Sequence, residues 1–146
     1  MSARSILALV LALGVSATLA TACSDDPGVD PSAPPTQATG PVSQPEADRT
    51  IAGLCQLVEL GGDDREAANA VFYDESHAGL HRIAADAERA DRAAAALLLE
   101  RKQLVEQDLL DDPVPPTFRH DLRDLLRATS AAIEAAGLAP GGCPPG

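Results

Sequence analysis

Asp91–Leu110 reads DRAAAALLLERKQLVEQDLL, Asp111–Pro116 reads DDPVPP, and Thr117–Leu138 reads TFRHDLRDLLRATSAAIEAAGL. These three stretches decide the fold. In the first, Asp91 can cap a helix running to about Leu110. Ala94, Leu97, Leu98, Leu104, Val105 and Leu109 make a wide apolar arc at helical spacing. Arg101 and Lys102 sit at its edges, where long stems can pack while their charges reach water. Two acids and three prolines then force a turn. Thr117 is placed to cap a final helix whose face is Phe118, Leu122, Leu125, Leu126, Thr129, Ile133 and Ala136. Gly137 suits a left-handed residue at its end, and Leu138 suits the apolar contact after it.

The same pattern extends toward the N-terminus. A helix is predicted from about Arg49 to Leu60, with Asp48 as N-cap and Ile51, Leu54, Cys55 and Val58 on its apolar face. Gly61-Gly62 ends it. Asp63 or Asp64 can cap the next segment, which reaches Tyr73. Asp74 then offers a fresh cap for a helix to about Ala90, unless 63–90 is one longer helix with a bend. Leu80, Ile83, Ala84 and Ala87 form the stripe there. No strand alternation and no internal repeat interrupt this reading. Short connections between amphipathic helices favour antiparallel neighbours. The expectation is an all-α domain over residues 49–146, a small up-and-down bundle of about four helices.

Ahead of it lie two segments of different composition. Arg4 is followed by an apolar run, Ile6 to Ala22, which has the charged start, apolar middle and small-residue end of a secretory signal. Ser24–Ala47 carries six prolines among Ser, Thr, Gly, Gln and Asp. Such a composition cannot bury a core, so 23–48 is predicted to be a disordered tether with a typical span of about 25–30 Å. The junction between them, Leu19-Ala20-Thr21-Ala22-Cys23-Ser24, resembles the lipobox of bacterial lipoproteins, with Ala20 where that family usually has Leu. The resemblance covers residues 1–23. It implies removal of signal peptide 1–22, a diacylglycerol thioether on Cys23, and attachment to the outer face of the cell membrane. Ala20-Thr21-Ala22 also fits the small-x-small pattern of ordinary secretion, and an uncleaved membrane anchor is a third possibility.

The chain has three cysteines, Cys23, Cys55 and Cys143. An odd number in an exported protein needs an explanation. Lipidation of Cys23 supplies one and leaves Cys55 and Cys143 to pair in an oxidising compartment. That bond would pin the Gly/Pro-rich C-terminal tail to the first helix.

The 146-residue chain has a formal charge of −11. It becomes more negative still once Arg4 leaves with the signal. This surface repels phosphate backbones and anionic headgroups, so nucleic acid is excluded as a partner class. Phe72, Tyr73 and Phe118 are the whole aromatic set. They are too few for a platform that stacks bases or sugars.

One cluster carries candidate chemistry, Asp74-Glu75-Ser76-His77-Ala78-Gly79-Leu80-His81. At 100° per residue from Leu80, His77 lies at about 60°, Glu88 at about 80°, His81 at about 100° and Asp74 at about 120°. Four metal-ligand types thus share one flank, and imidazole with carboxylate suits Zn, Cu, Ni or Fe. A two-histidine i,i+4 pair without a following Glu is a weak motif. Against it stand ordinary roles: Asp74 as a cap, His77 bonded to a carbonyl, His81 solvated. His120 lies about 160° from Leu122 and should be in water. There is no phosphate loop, no Gly-x-Ser-x-Gly and no Cys-x-x-Cys. Ser76 and His77 are helix neighbours that do not face each other. The reading is therefore a non-catalytic, lipid-anchored binding domain without an organic cofactor. Its partners would be the membrane, through the lipid, and an envelope protein or small ligand. The alternative is a transition-metal site on His77 and His81 with Asp74 and Glu88.

Overall fold

The computed structural model describes residues 40–143. The signal segment, Cys23 and most of the tether lie outside the described residues. Five α-helices follow in order: α1 Gln44–Leu60, α2 Arg65–Val71, α3 His77–Ala87, α4 Arg92–Leu110 and α5 Phe118–Ala135. A π-helical turn, Phe72–Ser76, joins α2 to α3. The run from Arg65 to Ala87 is therefore one helix with a π turn inside it. The architecture is an up-and-down four-helix bundle, as the sequence pattern predicts.

α1 begins five residues earlier than predicted. Ser43 stands at its N-cap position, and Pro45 lies in the first turn. Proline is tolerated there because the first helical N–H groups lack partners in any case. By composition alone, Pro45 groups this segment with the tether. The early start matters to the core: Val42 and Ala47 are buried, as is Thr50 in the next turn. Thr50 Oγ1 donates to the Glu46 carbonyl at 2.9 Å.

The other helix ends follow their caps. Asp64 Oδ1 accepts from Ala67 N–H at 3.0 Å. Asp91 Oδ1 accepts from Ala93 and Ala94 N–H at 2.9 and 3.0 Å. Thr117 makes no side-chain cap bond. At the end of α5, Gly137 takes a φ of +80°. Leu138 N–H donates to the Ile133 carbonyl at 3.0 Å, and Gly137 N–H to Glu134 at 2.9 Å. This is the Schellman pair of bonds, and Leu138 packs against the core beside it.

The core is aliphatic around two phenylalanines, Phe72 and Phe118, with Leu54, Leu57, Leu80, Ile83, Leu98, Leu122, Leu125 and Ile133 fully buried. The predicted stripe of Leu80, Ile83, Ala84 and Ala87 faces inward. α4 differs from its prediction. The buried row is Ala95, Leu98, Lys102, Val105 and Leu109. Leu97 is exposed. Alanine and leucine are spread around α4 among its charged residues, so periodicity alone did not choose the stripe, and Lys102 lies inside it rather than at its edge.

Cys55 and Cys143 form a disulfide across 88 residues of chain, with Cα atoms 5.4 Å apart. The tail is held to α1 at a second place. Gln44 Nε2 donates to the Ala139 carbonyl at 2.8 Å, and Ala139 N–H donates to Gln44 Oε1 at 3.0 Å. No helix among the described residues is long and apolar enough to cross a membrane.

Candidate functional site

The π turn builds the polar cluster. Its wider hydrogen bonding, in which His77 N–H donates to the Phe72 carbonyl, brings residues five apart onto one side. The Phe72 and His77 rings meet edge to face at 5.8 Å, and Tyr73 lies 5.2 Å from His77. Regular α-helix then resumes, and His77 and His81, four apart, stand edge to face at 4.9 Å.

His77 turns toward α4. Its Nε2 lies 2.9 Å from Glu106 Oε1. The same oxygen accepts from Lys102 Nζ at 2.7 Å. Lys102 is only 5% exposed, and this pairing is what lets an ammonium sit in the buried row. Burial alone would raise the Glu106 pKa. The hydrogen bond and charge of Lys102, and then His77, overcome this and hold it below its ordinary value. The His81 pKa is also lowered. Partial burial of its ring, then the charge of Lys102, then His77, lower its pKa, with Glu106 opposing. These influences together favour the uncharged imidazole.

The predicted four-residue metal set does not converge. Among the described residues, no group of three or more His, Cys, Asp and Glu side chains is placed to hold a metal ion. Two physical reasons account for this. A helical wheel hides distance along the axis, and Glu88 lies about 16 Å up the helix from His77. Asp74 falls within the π turn, which rotates it off the regular-helix angle, and it is no cap. His77 and His81 do come together. Their neighbours are Glu106 and Lys102, which reasoning from one segment could not supply. The available signal was a lysine in register with Leu98, Val105 and Leu109, with a glutamate one turn on. His120 is 73% exposed, as predicted, and faces Asp121 and Asp124 on α5 at 3.8 and 3.7 Å.

His81 also marks one end of a groove of about 260 Å³ between α3 and α4. Its walls are alanine: Ala84 and Ala85 from α3, Ala95 and Ala96 from α4. Leu99 stands beside His81 at the open end of the helical hairpin, and Glu88 and Arg92 stand together at the closed end. The chain matches no protein-family model, no curated protein and no solved structure.

Proposed function

We propose that this chain is an exported lipoprotein whose helical bundle is a non-catalytic binding domain, held at the outer face of the cell membrane by a lipid on Cys23. The observation that supports this reading is the Cys55–Cys143 bond. It accounts for two of the three cysteines and leaves Cys23, at the lipobox-like junction, as the odd one. A diacyl anchor holds firmly, because each buried CH₂ contributes about 0.8 kcal/mol and two chains suffice where one is marginal. The alanine-walled groove and the polar cluster beside it give the bundle a surface to offer a partner. The test is metabolic labelling with an alkyne fatty acid, followed by membrane fractionation. Wild-type chain is expected to carry label and to sediment with membranes, and Cys23→Ser to lose both. Equal labelling and retention of the two would refute the anchor.

A second reading, a transition-metal site on His77 and His81, has one observation in its favour: the two rings stand 4.9 Å apart. Lys102 opposes it by occupying Glu106 as the resident cation. Titration with Zn²⁺ or Ni²⁺ decides it. Tight binding lost in His77→Ala/His81→Ala supports the site, and no saturable binding removes it.

A further inference from the structure

Three of the four large apolar side chains exposed among the described residues, Leu97, Leu99 and Leu110, lie on α4. Scattered exposed leucines need no explanation. Leu99 differs because it stands 41% exposed at the rim of an alanine-walled groove. Knob and hole occur on the same face. That is the arrangement an isologous two-fold interface requires, since each copy must present both halves of every contact.

The charges on this face agree. Glu88 and Arg92 lie 3.9 Å apart, both largely exposed. Each keeps most of its hydrogen-bonding capacity, and together they cancel. The groove is thus a neutral, self-complementary patch on a chain of formal charge −11. Elsewhere two copies repel each other, whereas a basic partner would be drawn to the acidic faces instead.

We propose that the α3–α4 groove is a homodimer interface, with Leu99 of each copy seated against the alanines of the other. The geometry specifies the pairing. α3 and α4 form an antiparallel hairpin, with Glu88 level with Arg92 and His81 level with Leu99. A two-fold axis parallel to the groove keeps every residue at its own level and sets α3 of one copy on α4 of the other. Arg92 then meets the second copy's Glu88, twice by symmetry. Leu99 meets the second copy's Ala84, Ala85 and His81. The result is a four-helix layer made of two identical hairpins.

The test is sedimentation velocity on the purified full-length chain over a wide concentration range, with helicity followed by circular dichroism. A concentration-dependent dimer is expected. Leu99→Ser is expected to raise its dissociation constant about tenfold or more, equivalent to about 1.4 kcal/mol or more. Arg92→Glu and Glu88→Arg should each weaken self-association, while a mixture of the two variants should restore a heterodimer. Both residues are solvent-exposed, so these exchanges leave the fold intact. A chain that stays monomeric at every concentration overturns the proposal, as does a dimer whose affinity none of these variants changes. If the monomer's His81 resonances shift on adding decanoate, the groove belongs to an acyl chain and the dimer is again refuted.

Discussion

Gly79 of α3 lies so close to Thr50 of α1 that a β-carbon on Gly79 would fall 2.0 Å from Thr50 Oγ1. The contact has a counterpart one turn away. A β-carbon on Gly53 of α1 would fall 2.3 Å from Ser76 Oγ. Two glycines on facing helices thus let α1 press against the π turn and the start of α3, where Ser76 Oγ donates to the Thr50 carbonyl at 3.4 Å. Gly79→Ala gains about 1 kcal/mol of helix propensity. The overpacking it causes costs about 1–3 kcal/mol, because Thr50 is fully buried and its hydroxyl is already bonded to Glu46. A lowered melting temperature is expected. Gly79→Ala/Thr50→Ala should recover part of the loss. Thermal melts of the single and double variants check this, and a Gly79→Ala chain more stable than wild type would show that the helices do not cross this closely.

The disulfide should dominate the stability of this small core. Closing 88 residues of chain limits the unfolded state by about 4–5 kcal/mol in the chain-entropy model. Guanidinium unfolding with and without a thiol reductant measures it. Cys143→Ser should unfold at a much lower denaturant concentration. Gln44→Ala, which removes both bonds to Ala139, should cost far less than Cys143→Ser. In the oxidised chain the covalent bond already holds the tail.

Legibility in the sequence followed the range of the cause. Asp91 and Gly137 were readable because a cap and a left-handed glycine act within one helical turn. The start of α1 was not, because Pro45 looks the same in a linker and in a first turn. The buried row of α4 was ambiguous because alanine and leucine surround the helix. Only contact with α3 and α5 places Lys102 inside. At the site, the approach of His77 to His81 was legible from four-residue spacing. Glu106 was not, because its contact with His77 joins residues 29 apart on different helices. Glu88 was misplaced because periodicity gives angle and not height. The alternative of one bent helix over 63–90 located the π turn at Phe72–Ser76, although the pattern indicates a bend there and not its π form.

Asp108 should make the bundle more stable in mild acid. Its pKa is raised to about 6, by burial first, then by the charge and hydrogen bond of Asp121 and the charge of Asp111. Asp108 Oδ2 is buried without a donor. A second carboxyl can satisfy it only when the pair holds a proton. The folded pKa lies above the ordinary value of 3.8. The contribution of Asp108 is therefore full below that value and is lost as pH rises through about 6. Glu106, shifted downward, opposes this only at lower pH, where it is protonated in turn. Urea midpoints should rise as pH falls from neutral toward 5. Asp108→Asn should flatten that rise and raise the midpoint at neutral pH. A wild-type profile as flat as that of the variant would contradict the shared proton.

Lys102 links bundle stability to the state of His81. Lys102→Ala leaves Glu106 without its ammonium partner and opens space in the buried row beside Leu98 and Val105. A hydrogen bond to a charged group contributes about 1.5–3 kcal/mol, and the lost packing of the stem adds to it. Lys102→Met keeps the volume and removes the charge, so it should be much milder. The two variants should nonetheless agree in one respect. The charge of Lys102 helps hold the His81 pKa down, so removing it should move that pKa up toward its ordinary value in both. Glu106→Gln should move it further down, because Glu106 is the group that opposes the shift. NMR titration of the His81 ring protons separates the electrostatic effect from the structural one. A stability loss in Lys102→Ala with no movement of His81 in either lysine variant would mean that Lys102 acts through packing alone.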